Sequence, residues 1–506
     1  MGQEENIKHK TDDNTNSTEI KVFIGNTSIF DNIKIDEDND KNKKISKIKE
    51  IISKALQIDN LNFLLGAGCS SYMTTPKICE ECQKKYNFQC NKYNAKNEYY
   101  DCGIPVMGGL IQNFINKEKG MNILGLELNV DTLNNMFENN LEKLLEYLQS
   151  LELVISKLNN EYQIYYKKNS EENKVKPDDV EKNINKIKNF IIQEILNNKD
   201  TMAVLELYKL FYQKIINKNR KNPINIFTTN YDIYNETALD RLTFLYNNGF
   251  SGTVERRFNP MLYKYMFVEN MNLNKDVWEP VSYFFNLIKL HGSITWEADK
   301  NTSEIYEKSN FDNLNNKQLI NNIKKVMIYP SPLKDRSTLM TPYSDLFRFL
   351  ENSLYLNNST LIVIGYSFGD DHINRIIFNA LANPTFRLIV FGINEHIKKL
   401  IERNDKRITV IYSENKEQTS NDNPKENGQN KQQNENQEVQ QNNGEKQNNR
   451  QNNEENCKNT EYQPIHYFKY IVNNLLPSPN DDILEKDKIE KLVKCLLKEQ
   501  TDKGNI

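Results

Sequence analysis

An α/β fold built on a parallel sheet is what this sequence predicts, and three observations carry the prediction. First, short apolar runs recur: Phe63-Leu64-Leu65, Ile224 to Phe227, Leu287 to Leu290, Val326 to Tyr329, Leu361 to Ile364, Leu388 to Phe391 and Ile408 to Tyr412. Such runs, largely apolar instead of alternating with polar residues, mark strands buried on both faces. Second, helical or loop segments separate them, as crossover connections require. Third, four of the runs end in small and polar residues: Gly66-Ala67-Gly68-Cys69-Ser70, Thr228-Thr229-Asn230-Tyr231-Asp232, His291-Gly292-Ser293 and Gly365-Tyr366-Ser367-Phe368-Gly369-Asp370. Ligands of open α/β sheets bind outside the carboxyl ends of the strands, so four such endings predict one pocket.

The 506 residues suffice for one large domain with insertions or for two or three modules. Mean hydropathy is low at -0.74, yet 26 Tyr and 23 Phe argue against general disorder, so the polarity must be concentrated in particular segments. The formal charge of -3 comes with no sustained basic stretch, so direct nucleic-acid binding is not expected. Nowhere do eighteen apolar residues run together, and Asn6 stands where a myristoylation signal wants Ser or Thr. No membrane partner and a cytoplasmic location are the expectation, and seven cysteines without a secretory signal predict no structural disulfides.

Taken in order, residues 1–45 predict a polar arm in which Val22-Phe23-Ile24 can add a short edge strand. Ile45, Ile48, Ile51, Ile52, Ala55 and Leu56 have helical spacing and lead into the first core strand. A cysteine-containing insertion over residues 72–102 follows. A helical insertion over about 110–220 is predicted from Leu141, Leu144, Leu145 and Leu148, from Ile184, Ile187, Ile191 and Ile195, and from Leu205 to Ile216. Leu346 to Leu356 and Ile373 to Leu381 fit crossover helices. Residues 413–462, mostly Asn, Gln, Glu and Lys, cannot bury enough surface to offset chain entropy and predict a disordered loop. Within 463–506, Ile465, Phe468, Ile471, Val472, Leu475 and Leu476, then Ile489 to Leu497, predict C-terminal helices.

Several of these residues carry chemistry. Gly66 and Gly68 let backbone approach a phosphate that Ser70 can hydrogen-bond, although the third glycine of the dinucleotide fingerprint is missing and a plain tight turn uses the same residues. Asn230 and Asp232 suit ribose hydroxyls or a water molecule, and equally a turn or helix cap. His291, one of five histidines, suits a general base near neutral pH. Gly365, Ser367 and Gly369 match the nucleophile elbow, for which Asp371 and one of His372, His396 or His466 would complete a triad. Asn394 suits a second ribose or the cap of the following helix. Cys79, Cys82, Cys90 and Cys102 offer the four thiolates of a structural zinc site, against the alternative of reduced, unliganded cysteines.

Together and in this order, the glycine loop, Gly103-Ile104-Pro105, the Asn230 and His291 segments, Gly365-Tyr366-Ser367 and Ile393-Asn394 resemble the sirtuin-like family. The likeness spans roughly residues 60–412 and is closer to bacterial anti-phage defence domains than to protein deacylases. It implies a Rossmann-like parallel sheet forming an NAD-binding domain over 46–412. Gly66, Ala67, Gly68 and Ser70 would lie around the phosphates with Gly365 and Ser367 beside them, Asn394 at the adenine-side ribose, and Asn230, Asp232 and His291 about the nicotinamide ribose. It also implies NAD hydrolysis, a homo-oligomer and a possible ATPase or Argonaute-type partner. Deacylation, ADP-ribosyl transfer and a catalytically silent NAD- or ADP-ribose-binding module are the alternatives. Deacylases carry Phe-Arg where this chain has Val106-Met107, and a zinc ribbon after His-Gly, where this chain has no cysteine before Cys457.

Overall fold

The computed structural model describes residues 18–30, 37–71, 73–76, 99–105, 107–117, 122–123, 126–127, 136–137, 141–158, 163–168, 171–196, 201–216, 220–268, 280–281, 283–299, 304–308, 325–327, 341–415 and 464–479. At its centre lies a nine-stranded sheet made from β1 (Thr18–Ile24), β2 (Thr27–Ser28), β3 (Asn60–Leu65), β4 (Ile224–Thr228), β5 (Leu245–Asn247), β6 (Phe284–Lys289), β7 (Ser359–Ile364), β8 (Arg387–Phe391) and β9 (Ile408–Asn415). Their order across the sheet is β5-β6-β4-β3-β7-β8-β9-β1-β2. From β5 to β9 every pairing is parallel, and β1 then runs antiparallel along β9.

Both faces of the sheet are covered, which is why its strands read as continuous apolar runs. One face packs against α1 (Glu37–Leu56), α5 (Thr201–Ile215), α6 (Tyr234–Leu242) and a C-terminal turn around Phe468. The other packs against α7 (Tyr343–Tyr355), α8 (Asp371–Ala380) and α9 (Glu395–Glu402). The architecture is thus a doubly wound, Rossmann-like α/β fold. Helices α2 (Met107–Lys117), α3 (Leu141–Lys157) and α4 (Pro177–Leu196) build a separate core from Leu110, Phe114, Leu144, Leu148, Ile187 and Ile191. Of the predicted helical insertion, α5 belongs to the main core, where the Phe211 ring meets Phe63 edge-on at 5.2 Å.

Polar residues inside these strands pair with one another. Asn62, Asn225 and Asn286 stand side by side on β3, β4 and β6. Asn286 Nδ2 donates to Asn225 Oδ1 at 2.9 Å, Asn225 Nδ2 donates to Asn62 Oδ1 at 2.8 Å, and Asn62 Nδ2 donates to the Thr360 carbonyl on β7 at 3.3 Å. Amides linked head to tail satisfy most of the polarity that burial would otherwise penalise.

Three expectations need correction. Of the strand expected at Val326 to Tyr329, the described residues Val326 and Met327 are not part of a parallel strand of the main sheet. Lys325–Met327 pairs antiparallel with Gly292–Ala298, in a five-stranded sheet completed by Phe250–Ser251, Arg256–Phe258 and Ile305–Glu307. Gly292, at φ 85°, turns the chain out of the main sheet after His291 and supplies that partner. Within the polar arm Thr18–Ile24 is a sheet strand, longer than Val22 to Ile24, and α1 begins at Glu37 instead of Ile45. In the cysteine-containing insertion Met73–Pro76 pairs with Tyr99–Cys102, while Cys79, Cys82 and Cys90 lie outside the described residues. So do residues 416–462 of the loop expected over 413–462, whose first residues, Ser413 to Asn415, instead belong to β9, and the expected helix at Ile489 to Leu497. No described helix is long and apolar enough to cross a membrane.

Candidate functional site

Four adjacent strands end level with one another. Ile364 of β7 is in register with Leu65 of β3, Leu65 with Thr228 of β4, and Thr228 with Lys289 of β6. Asn230 and His291 therefore each stand two residues past the last paired position of their strand, and Gly66 and Gly365 one residue past theirs. From β3 the chain moves to β4 on one side, and β7 later returns to the other side of β3. That reversal opens the crevice in which such sheets bind ligands.

The two glycine loops are locked into each other across it. Gly66 N donates to the Ile364 carbonyl at 2.9 Å, and Gly68 N to the Gly365 carbonyl at 2.9 Å. A Cβ on Gly66 would lie 2.4 Å from the Gly365 oxygen, and Gly365 itself has φ 66°. Glycine is therefore required at both positions by the crossing of the loops. Ala67 is exposed in a single 3-10 turn that ends at Ser70. The Ser70 carbonyl accepts from Ile104 N at 2.6 Å, which draws Gly103-Ile104-Pro105 to the same edge.

Asn230 is held from beneath. Its Nδ2 donates to the Gly66 carbonyl at 3.0 Å and to Ser70 Oγ at 3.2 Å, and its backbone N donates to Thr228 Oγ1 at 3.0 Å. Its Oδ1 is buried with no hydrogen-bond partner, although the residue is just 6 % exposed. A buried acceptor left without a donor costs on the order of 1–3 kcal/mol.

Asp232 is buried as well, with Oδ1 accepting from Tyr234 N at 3.1 Å at the start of α6. Burial pushes its carboxyl pKa up, against the lowering effect of the Lys289 ammonium, the Tyr234 amide and Ser70. Lys289 donates to the carbonyls of Asp232 and Tyr231 and to Glu236 Oε1 at 2.9 Å, gripping the Tyr231-Asp232 backbone from the adjacent strand. Tyr208 of α5 reaches Ser70 Oγ with its hydroxyl at 2.7 Å. The Cys69 thiol is pushed well up by burial, and further by Asp232, so it is a neutral donor to the Ile364 carbonyl and no nucleophile.

His291 crosses the crevice to the other loop, with Nε2 3.0 Å from Asp370 Oδ2. Asn394 does cap α9, its Oδ1 accepting from Ile397 N at 2.9 Å. Its Nδ2 donates to the Ser367 carbonyl at 3.0 Å and so ties the loops after β7 and β8 together. Ser367 is exposed and lies four residues ahead of α8, and among the described residues no hydrogen bond joins its hydroxyl to a histidine. Among the described residues no group of three His, Cys, Asp or Glu side chains could hold a metal ion, and the four-cysteine zinc expectation falls outside them.

Sequence reasoning missed Tyr208, Lys289 and Asp370. Lys289 left a signal, being a lysine inside the otherwise apolar run Leu287 to Leu290 before His291. Asp370 closes a motif whose glycines and serine drew the attention, and Tyr208 sits on a helix with nothing to mark it.

Residues 224–411 match the family model described as SIR2-like domain, a span that begins with β4 and takes in Asn230, Asp232, His291, Ser367 and Asn394. A solved structure described as "Structural Basis for the Mechanism and Regulation of Sir2 Enzymes" aligns at 9 % identity over 71 % of this chain and 98 % of its own, with a TM-score of 0.26. No curated protein matches the chain. Residues 224–411 are thus similar to a SIR2-like domain.

Proposed function

We propose that the chain is an NAD glycohydrolase, cleaving NAD to nicotinamide and ADP-ribose. The observation that supports it best is the buried, unpartnered Oδ1 of Asn230 at the level where His291 leaves the neighbouring strand. A ribose hydroxyl or a water molecule would supply the missing donor. Under this proposal the pyrophosphate lies by Gly66, Ala67, Gly68 and Ser70, with Gly365 and Ser367 beside it and Asn394 at the adenine-side ribose. In this reading the bond from the ribose C1′ to the nicotinamide nitrogen breaks with its electron pair on nicotinamide. Asn230 orients the water that attacks C1′, and His291 accepts the proton of that water. Asp232, gripped through its backbone by Lys289, fixes the loop that carries Asn230.

Hydrolysis is preferred over acyl transfer because Val106-Met107 replace the Phe-Arg of deacylases and no cysteine follows His291 before Cys457. On the family resemblance alone, NAD depletion would serve anti-phage defence, in a homo-oligomer with or without an ATPase or Argonaute-type partner. The test is nicotinamide release from NAD by the purified protein, with and without an acyl-lysine peptide. Release without peptide, reduced on the order of a hundredfold or more in His291→Ala and Asn230→Ala, is expected. Release that depends on the peptide, or both variants matching the parent, would overturn the assignment.

A further inference from the structure

We infer that Asp370 is the positioning residue of His291, holding the imidazole so that Nδ1 is the nitrogen that takes the proton; this rests on the hydrolase reading above. The two residues belong to non-adjacent strands: β4 and β3 lie between β6 and β7. At the usual strand spacing of about 4.8 Å, β6 and β7 are on the order of 14 Å apart. Closing that gap to 3.0 Å requires the loop after β7 to lean over the strand ends, so the pair spans the mouth of the crevice.

Asp370 is built to hold this position. Its Oδ1 accepts from His372 N at 3.0 Å as the N-cap of α8, which leaves Oδ2 directed at His291. Its backbone N donates to the Tyr366 hydroxyl at 3.3 Å, that hydroxyl donates to Asn374 Oδ1 at 3.0 Å, and Asn374 Nδ2 donates to the Phe368 carbonyl at 2.8 Å. The loop is thereby braced against the helix it precedes. The side chains of His291 and Asp370 are 13 % and 7 % exposed, so solvent screens the pair little. A carboxylate accepting from Nε2–H fixes the tautomer with its lone pair on Nδ1 and stabilises the imidazolium formed when that atom takes a proton from water.

The experiment uses the full chain. On the parent, nitrogen-15 NMR of His291, at a pH where the ring is neutral, is expected to show the proton on Nε2; a proton on Nδ1 overturns the inference whatever the activity. Asp370→Asn should lower kcat for nicotinamide release on the order of a hundredfold while leaving KM for NAD within about threefold, and Asp370→Glu should recover part of kcat. Unchanged kcat in a folded Asp370→Asn protein also overturns it. A parent that releases no nicotinamide at all defeats the hydrolase reading instead, and leaves the NMR result to decide the pair.

Discussion

A Cβ placed on Gly365 would lie 2.6 Å from the backbone nitrogen of Cys69 and 2.8 Å from the carbonyl carbon of Gly68. Both neighbours are main chain and cannot rotate away. Gly365→Ala adds to that clash the strain of φ 66°, about 1–2 kcal/mol for a residue with a side chain. The combined cost is expected to exceed about 3 kcal/mol or to prevent folding. Gly369→Ala, four residues on, meets nothing nearer than Ser367 Oγ at 3.4 Å and should cost less than about 1 kcal/mol. Urea unfolding of both variants checks this; equal midpoints would show that the loops can separate.

The asparagine ladder predicts non-additive mutations. Asn225→Val removes the central member and leaves both Asn62 Oδ1 and Asn286 Nδ2 without their partners, at a cost of about 1–3 kcal/mol for each stranded group. Replacing Asn62, Asn225 and Asn286 together by Val should cost less than three such losses added, because no amide is stranded. Denaturant unfolding of the single and triple variants measures the coupling, and strict additivity would count against it.

His466 predicts a dependence on pH. Burial lowers its pKa from 6.5 to about 4, opposed by Glu414, while its Nδ1 accepts from Ser413 N at 3.4 Å. Between those values the unfolded chain binds the proton and the folded chain does not. The contribution is therefore complete above about pH 6.5 and is lost as pH falls towards about 4. His466→Gln stays neutral and keeps an acceptor, so the stability gap between parent and variant should shift in the variant's favour across that window. Thermal unfolding at pH 7, 5.5 and 4 tests it; a gap that does not change with pH refutes it.

The chain leaves and re-enters the described structure at one place. Ile465 N donates to Ser413 Oγ at 3.0 Å across 52 positions of sequence. Replacing residues 417–461 with a six-residue Gly/Ser linker should therefore fold normally and gain on the order of 1 kcal/mol from the shorter loop. Differential scanning calorimetry of the two proteins decides it, and a loss of several degrees in Tm would mean that the tract packs against the domain.

The parallel strands were legible because burial on both faces leaves apolar words such as Phe63 to Leu65 and Leu361 to Ile364. Their endings were legible for a related reason, since glycine and amide residues break those words at the site. The antiparallel sheet was not, because strands as short and polar as Arg256–Phe258 have no period to detect. In β1 the buried Ile20 and Val22 alternate with Glu19 and Lys21, a weak signal in polar surroundings that gains meaning from pairing with residues 409–415. The partnership of His291 with Asp370 depends on strand order, which no local pattern records.

That placement of β1 also sets a sequence of events. Lys21 meets Glu414 at 2.9 Å across 393 positions, so the segment that emerges from synthesis early has its partner strand among the last parts of the domain to be made. Until then the outer edge of β9 does not exist, and afterwards its N–H and C=O groups stay open to any extended chain until β1 arrives. The strand acts as the closing flap of the sheet, its docking delayed by the length of everything between.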